Sequence, residues 1–400
     1  MIQQLIKILF LIFFPSLLIA QNVVKPIEVD WVFKTGQQIR STPGIYKNLV
    51  IIAGDDGTVH ALEQINGKIA WEYPAGSAVR SDLVVDQDRV YVYNTNGNLF
   101  ALNANNGRLL WEFKTAPNNV LDTWDYYTAA PAFNKSLLFI GDSEGNLFAI
   151  QKSNGQPAWQ FKTPARIHAT AACNDSMVFV GNYSGQLIAI DAKNGHQKWT
   201  FQTVGDRYFP NGEIQRGPVL DDGILYFGSR DYNIYAVNAE TGRAVWNMKE
   251  IGSWIIATPC IDSTQLFVGT SDTHRFYALD KSGGFVKWQL PLNMRAYGTA
   301  TLYKNRVYFG CFNGKLYGVN KIDGTVEQVF QTEGSKTHYT EVYGADDHFK
   351  KGFELYGPDG ERSEQKILSL GSILSQPVIK DGKIFVTSTD GNLYAIKIDG

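Results

Sequence analysis

From residue 28 to the end, the chain is built of short apolar runs, each cut off by Gly, Asn or Asp. Residues 131–161 show one full cycle. Pro131-Ala132-Phe133 and Leu138–Ile140 are two short apolar segments, and Asp142–Gly145 is a turn. Leu147–Ile150 follows, then a second turn at Lys152–Gly155, then Ala158–Phe161. Runs this short, bounded by turn residues and rich in branched and aromatic side chains, predict β-strands rather than helices. Each cycle therefore predicts four antiparallel strands, and the cycle recurs about every 40 residues, the period of stacked units.

Tryptophans fix the frame: Trp31, Trp71, Trp111, Trp159, Trp199, Trp246 and Trp288. Each of the last six follows a turn glycine by four residues (Gly67, Gly107, Gly155, Gly195, Gly242, Gly284). Six residues before each glycine stands an alanine (Ala61, Ala101, Ala149, Ala189, Ala236, Ala278). A seventh copy has Gly318 and Gln328 at the alanine and tryptophan positions, and an eighth reaches Ala395. Innermost strands are expected to start at Pro43, Leu83, Pro131, Ala171, Pro218, Pro259, Ala300 and Pro377. The pattern predicts an all-β, eight-bladed β-propeller of four-stranded antiparallel blades. Trp31-Val32-Phe33, which no other repeat residues precede, is expected to complete the last blade beside Leu393–Ile396. That pairing would close the ring and remove an open sheet edge. The small-residue and indole pattern assigns the seven tryptophans to the core, where each indole N–H needs a buried partner.

Composition narrows the function. A formal charge of −2 disfavours a nucleic-acid partner. Cys173, Cys260 and Cys311 are odd in number and far apart, so neither a disulfide framework nor a metal cluster is expected. Residues 1–20, MIQQLIKILFLIFFPSLLIA, read as a signal peptide cut after Ala20 and not as a membrane anchor, because the apolar run is short and broken by Pro15. No cysteine follows that run to serve as a lipid attachment point. The expectation is a periplasmic or secreted chain, with no transmembrane segment in its mature form and most simply monomeric. Residues 28–400 would form a single propeller carrying one long insertion at 331–372.

The motif in GNLFALNANNGRLLW (97–111) resembles the PQQ-like, quinoprotein-type propeller repeat. That family includes quinoprotein alcohol dehydrogenases and the outer-membrane protein assembly factor BamB. The resemblance covers residues 28–400. It implies the same eight-bladed ring, which carries enzymes and scaffolds alike. The dehydrogenases use a vicinal Cys-Cys pair, an Asp base and an acidic calcium site. No adjacent cysteines or mappable acidic set occur in this sequence. The resemblance therefore implies a non-catalytic, BamB-like scaffold without a cofactor, binding a protein partner such as an envelope or β-barrel assembly component. PQQ, or another quinone-type or anionic ligand, is the alternative.

Three links between blades are expanded: 114–127, 202–214 and 331–372, the last with eight acidic and five basic residues. Long loops on a rigid ring are where binding usually resides. The insertion is expected to be either a mobile surface segment or a partner-binding loop. Just ahead of the innermost strands stand Arg40, Arg80, Tyr127, Arg166, His168, Arg216, Trp254, Arg295 and Tyr297. The frame gathers them near the axis on one face. Guanidinium groups held there would bind a carboxylate or phosphate, or else pair with acids such as Asp82, Asp122 or Glu213. His338, His348, Asp346 and Asp347 match no metal-ligand spacing. There is no Gly-x-Ser-x-Gly, no His-Glu-x-x-His and no phosphate loop, so no catalytic residue is assigned.

Overall fold

The computed structural model describes residues 24–118 and 124–398. The signal peptide, its cut after Ala20, and Asp122 lie outside these residues. Eight four-stranded antiparallel sheets form the ring. Blades 1–7 run over residues 44–74, 84–114, 132–162, 172–202, 219–249, 260–291 and 301–331. Blade 8 combines residues 378–397 with Glu28–Lys34. Each innermost strand begins one residue later than the sequence frame predicts.

The closing strand pairs in the expected register: Trp31 opposite Ala395, Val32 opposite Tyr394 and Phe33 opposite Leu393. A feature the sequence did not signal is a further two-residue strand, Lys25–Pro26, running parallel to the outer strand of blade 7 against Gln328 and Val329. The N-terminal segment thus stitches blade 7 as well as blade 8.

The repeat residues interlock between blades. Within a blade, alanine faces tryptophan across the third and outer strands, as in Ala101 opposite Trp111. The indole then lies over the turn glycine of the next blade. A methyl group built on Gly107 would sit 2.5 Å from Trp71, and one on Gly67 2.6 Å from Trp31. Each of these glycines also has positive φ, +70° at both, a region that a side chain disfavours. Every indole N–H donates to a carbonyl of that next blade: Trp31 to Gln64, Trp71 to Ala104, Trp111 to Lys152, Trp159 to Ala192, Trp199 to Ala239, Trp246 to Lys281 and Trp288 to Lys321, all at 2.9–3.1 Å. One side chain thereby buries a large apolar surface and satisfies its own donor.

The seam between blades 7 and 8 differs. The outer strand of blade 8 is Glu28–Lys34, so among the described residues no turn glycine joins it to the third strand to receive a ring. Gln328 replaces tryptophan, accepts from Tyr308 at 2.5 Å, and is covered by the Lys25–Pro26 strand. No helix among the described residues is long and apolar enough to cross a membrane.

The insertion at 331–372 carries the helices found among the described residues. It folds into α1 (Glu333–Val342) and α2 (Gly360–Ser369). Thr332 caps α1 by accepting from the Ser335 amide. Val342, Tyr343, Leu355, Ile367, Leu368 and Leu370 pack on Tyr126, Tyr127, Tyr297 and Phe312 in one apolar cluster. The segment is an ordered cap over the axis, not a loose surface loop.

Candidate functional site: the axial mouth of the loop-bearing face

All links from an outer strand to the next innermost strand emerge on one face, beside the turns between second and third strands. Alternation along each link sorts its side chains. Five residues before the observed innermost strands stand Ile39, Val79, Ile167, Ile214, Ile255 and Ile373, fully buried toward the blades. Glycines make room for them: a methyl group on Gly141 would lie 2.1 Å from Ile167, and one on Gly310 2.2 Å from Ile373. Residues four and six before the strand face the opposite way, into the axial mouth. They include Arg40, Arg80, His168 and Tyr297 in one layer and Tyr126, Arg166, Trp254 and Arg295 in the other.

The charges there are largely matched within the protein. Arg80 binds both oxygens of Asp55 at 3.0 and 3.2 Å. Arg216 reaches Asp82 at 3.3 Å and lies over the Tyr127 ring at 4.0 Å. The Tyr127 hydroxyl donates to the Leu374 carbonyl at 2.9 Å. Arg295 is 1% exposed and pairs with Glu364 of α2. It also donates to the Tyr126 hydroxyl at 2.9 Å and has Phe312 at 4.6 Å and Trp124 at 5.3 Å. Burial opposes the charge on Arg295, but the surrounding tyrosines and Glu364 outweigh it and raise its pKa. Burial, helped by the charges of Asp272 and Glu364 and opposed by Arg295, lifts Tyr297 to about 12.

Arg40 is the least compensated. It donates to Gln38 at 2.7 Å, while Asp55, already taken by Arg80, is 3.9 Å away. Its buried Nε has no partner among the described residues. Burial, followed by the neighbouring Arg80 charge, lowers its pKa.

Of the other candidates, Trp254 meets Phe209 edge to face at 4.9 Å and lies under Arg230 at 4.5 Å. Arg166 lies over Tyr183 at 5.4 Å. His168 contacts Asp125 through Nδ1, and Tyr183 donates to the same carboxylate oxygen. The mouth thus gathers all nine candidates, but in two groups: Arg40, Arg80, Tyr127, Arg216, Arg295 and Tyr297 near α2, and Arg166, His168 and Trp254 around Tyr183 and Arg230. His338 pairs with Glu341 at 2.7 Å and His348 with the Asp346 carbonyl at 2.8 Å, so the insertion's histidines do not converge.

The sequence reading missed one ring of residues. The second position of each turn between the second and third strands also faces the mouth: Asp55, Thr95, Ser143, Tyr183, Arg230, Ser271, Phe312 and Thr389. Asp55, Tyr183, Arg230 and Phe312 supply contacts just described. The signal was available, since each stands two residues past the end of the second strand in every repeat.

Deeper along the axis, a cavity of about 450 Å³ is lined by Asp82, Thr170, Arg216, Thr258, Thr299 and Gln376, among others.

With this geometry in place, the comparisons are informative. The family model described as outer membrane protein assembly factor BamB matches residues 28–123, 122–210 and 206–342. The chain belongs to this PQQ-like, BamB-type propeller family. No curated protein matched the sequence. BamB from Moraxella catarrhalis is 16% identical, with TM-score 0.69 over 93% of this chain and 99% of its own. The computationally designed Ika8 protein gives 14%, 0.70, 91% and 98%. Quinohemoprotein alcohol dehydrogenase from Comamonas testosteroni gives 12%, 0.67, 94% and 77%. At such identities these likenesses show the fold alone.

The dehydrogenase neighbour raises the question of whether a flat, polycarboxylate quinone could sit in the PQQ-like mouth. It would need an open slot and cations not already neutralised. Here Arg80, Arg216 and Arg295 are committed to Asp55, Asp82 and Glu364, which leaves Arg40 as the less compensated cation. Tyr126, Tyr127, Tyr297 and Phe312, with α2 above them, fill the axis. The mouth in this arrangement does not fit such a group.

Proposed function

We propose that this protein is a non-catalytic β-propeller of the cell envelope that docks a protein partner through its loop-bearing face, in the manner of an outer-membrane β-barrel assembly factor. The observation carrying this reading is the cap formed by 331–372. It fills the axial mouth with the protein's own side chains, leaving that face a closed platform and not an entrance. Large apolar side chains stand exposed on the links of this platform: Val204 and Tyr208 at 71% and Tyr356 at 49% on expanded links, and Ile251 at 90% on a short one. Beneath them, Phe209 touches Tyr232 and Trp254, and Lys249 bridges two links through Asp206 at 2.9 Å. Rigidly held aromatic and aliphatic anchors with a polar surround are what a docking surface requires. Export through the 1–20 leader is part of this proposal, as is a monomeric single-domain ring over 28–400.

The test uses Tyr208→Ser and Ile251→Asp in one chain, both surface changes. Co-purification of a β-barrel assembly component with the parent protein, lost in the variant at unchanged melting temperature, supports the reading. Retention of the component by the variant contradicts it.

A second reading rests on the axial cavity of about 450 Å³. Arg216 lines it, and its buried Nε has no partner among the described residues. A small polar or anionic ligand placed there would raise the melting temperature of the parent protein, and Arg216→Ala would abolish the shift. The absence of any shift with small carboxylates and phosphates overturns it.

A further inference from the structure

Arg216 breaks the repeat at the axis. Three residues before the innermost strand, seven blades carry serine, alanine or glycine. Ser41, Ser81 and Ser375 at this position are buried, and each donates to a carbonyl of its own blade. Blade 5 alone has a long charged side chain there. The next residue is threonine, aspartate or glutamine in six blades, but Gly217 in blade 5. A methyl group on Gly217 would lie 2.1 Å from the Thr170 carbonyl oxygen, so only glycine lets the backbone pass that close. From this link Arg216 reaches Asp82, at the start of blade 2. Its Nη2 lies 3.3 Å from Asp82 Oδ2, whereas Nη1 makes no hydrogen bond among the described residues and is not buried. Asp82 Oδ1 accepts from the Thr42 N–H at 2.9 Å. Arg216 and Asp82 both line the axial cavity of about 450 Å³, as do Thr170, Thr258, Val219 and Ile261. Asp221, the other charged residue on this wall, is held by Lys281 at 2.6 Å. The cavity thus presents one cation and one anion side by side.

We propose that this cavity binds a free α-amino acid as its zwitterion. The proposal rests on the second reading above and names the ligand of that site. A lone anion would compete with Asp82 for Arg216 while lying against a carboxylate, and a lone cation would lie against the guanidinium. A zwitterion satisfies both members of the pair. Its carboxylate accepts from Arg216 Nη1, and its ammonium group, one carbon away, donates to the Asp82 carboxylate. The threonines add directional contacts. The Thr170 hydroxyl accepts from the Ala130 N–H at 2.9 Å, which keeps its own proton for the ligand carboxylate. The Thr258 hydroxyl donates to the Gly217 carbonyl at 3.0 Å, which leaves it an acceptor for the ammonium group. Val219 and Ile261 offer an apolar wall to a small aliphatic side chain. With the cap closing the loop-bearing face, the ligand enters from the opposite face, toward which the cavity extends along Asp221 and Ile261. The step is binding alone, without bond making or breaking.

The test is isothermal titration of the full chain with L-valine, with isovalerate, which lacks the ammonium group, and with isobutylamine, which lacks the carboxylate. L-valine should bind at least about 10-fold more tightly than either partial ligand. Arg216→Gln should abolish L-valine binding. Asp82→Asn keeps an acceptor for the Thr42 N–H but removes the charge, so isovalerate should then bind at least as tightly as L-valine. That reversal is a change of preference, which misfolding of a variant would not produce. Isovalerate binding the parent protein as tightly as L-valine overturns the proposal and leaves the second reading standing. Isobutylamine binding as tightly, or a preference for L-valine unchanged in Asp82→Asn, also overturns the proposal. Binding of none of the three overturns the proposal and the second reading together.

Discussion

At the residue scale, the interlock of tryptophan on glycine makes sharply different predictions for glycines that share a backbone conformation. Gly107 and Gly223 have φ of +70° and +73°. A methyl group on Gly107 meets Trp71 at 2.5 Å, whereas on Gly223 it meets nothing within 4 Å. Gly223→Ala should therefore cost only the left-handed strain, about 1–2 kcal/mol. Gly107→Ala adds overpacking of about 1–3 kcal/mol. Paired thermal melts should show the larger fall for Gly107→Ala, and equal falls would contradict the interlock. His60 gives a pH prediction. It bridges Asp56 and Glu72, each at 2.8 Å. Burial opposes its charge, but the two carboxylates outweigh burial and raise its pKa. Its stabilising contribution is therefore complete below the unfolded value of about 6.5 and is lost as pH rises through the higher folded value. Asp56, held low despite burial by His60 and backbone donors, loses its own contribution as pH falls. The melting-temperature gap between the parent protein and His60→Gln should be wide near pH 5.5 and narrow by about pH 9. A constant gap would show that the bridge is not charged.

At the element scale, the insertion turns on one buried ion pair. Arg295 and Glu364 bring α2 onto the rings of Tyr126 and Phe312. Removing one partner of such a pair leaves the other charged and buried, at about 3–5 kcal/mol. Glu364→Ala should lower the melting temperature and admit protease to 331–372 while the blades stay protected. A cap that remains resistant would contradict its dependence on this pair. The same elements show what the sequence could reveal. Strands were legible because alanine, glycine and tryptophan recur wherever the interlock demands them. The helices were not: EGSKTHYTEV and GERSEQKILS carry few apolar residues. Their fixing contacts, from Ile367 and Leu368 to rings at 126, 127 and 312, are made across the ring. Lys25–Pro26 was equally hidden, since two residues including a proline carry no strand pattern. The arginines were legible as a set because the repeat frame fixes their height. Their partners Asp55 and Glu364 were not, because one sits in a turn read as connective and the other in the insertion.

At the scale of the whole molecule, ring closure and cap serve one end. The N-terminal segment pairs with blades 7 and 8, and Lys34 at its end reaches Glu333 of α1 at 2.6 Å. Closure of the ring and seating of the cap are thus joined at one point on the loop-bearing face. The outcome is a rigid disc, sealed along its axis on that face, with Val204, Tyr208, Ile251 and Tyr356 standing out from it. Blade architecture alone does not choose among functions, as neighbours that include a designed protein and a quinohemoprotein dehydrogenase make plain. The choice rests on what this face touches. The most direct measurement places a photo-crosslinking residue at position 208 and, as control, at position 65 on the opposite face, in cells that export the protein. The account predicts a crosslink from position 208, and not from 65, to a β-barrel assembly component. Equal crosslinking from both positions, or none from 208, would contradict it.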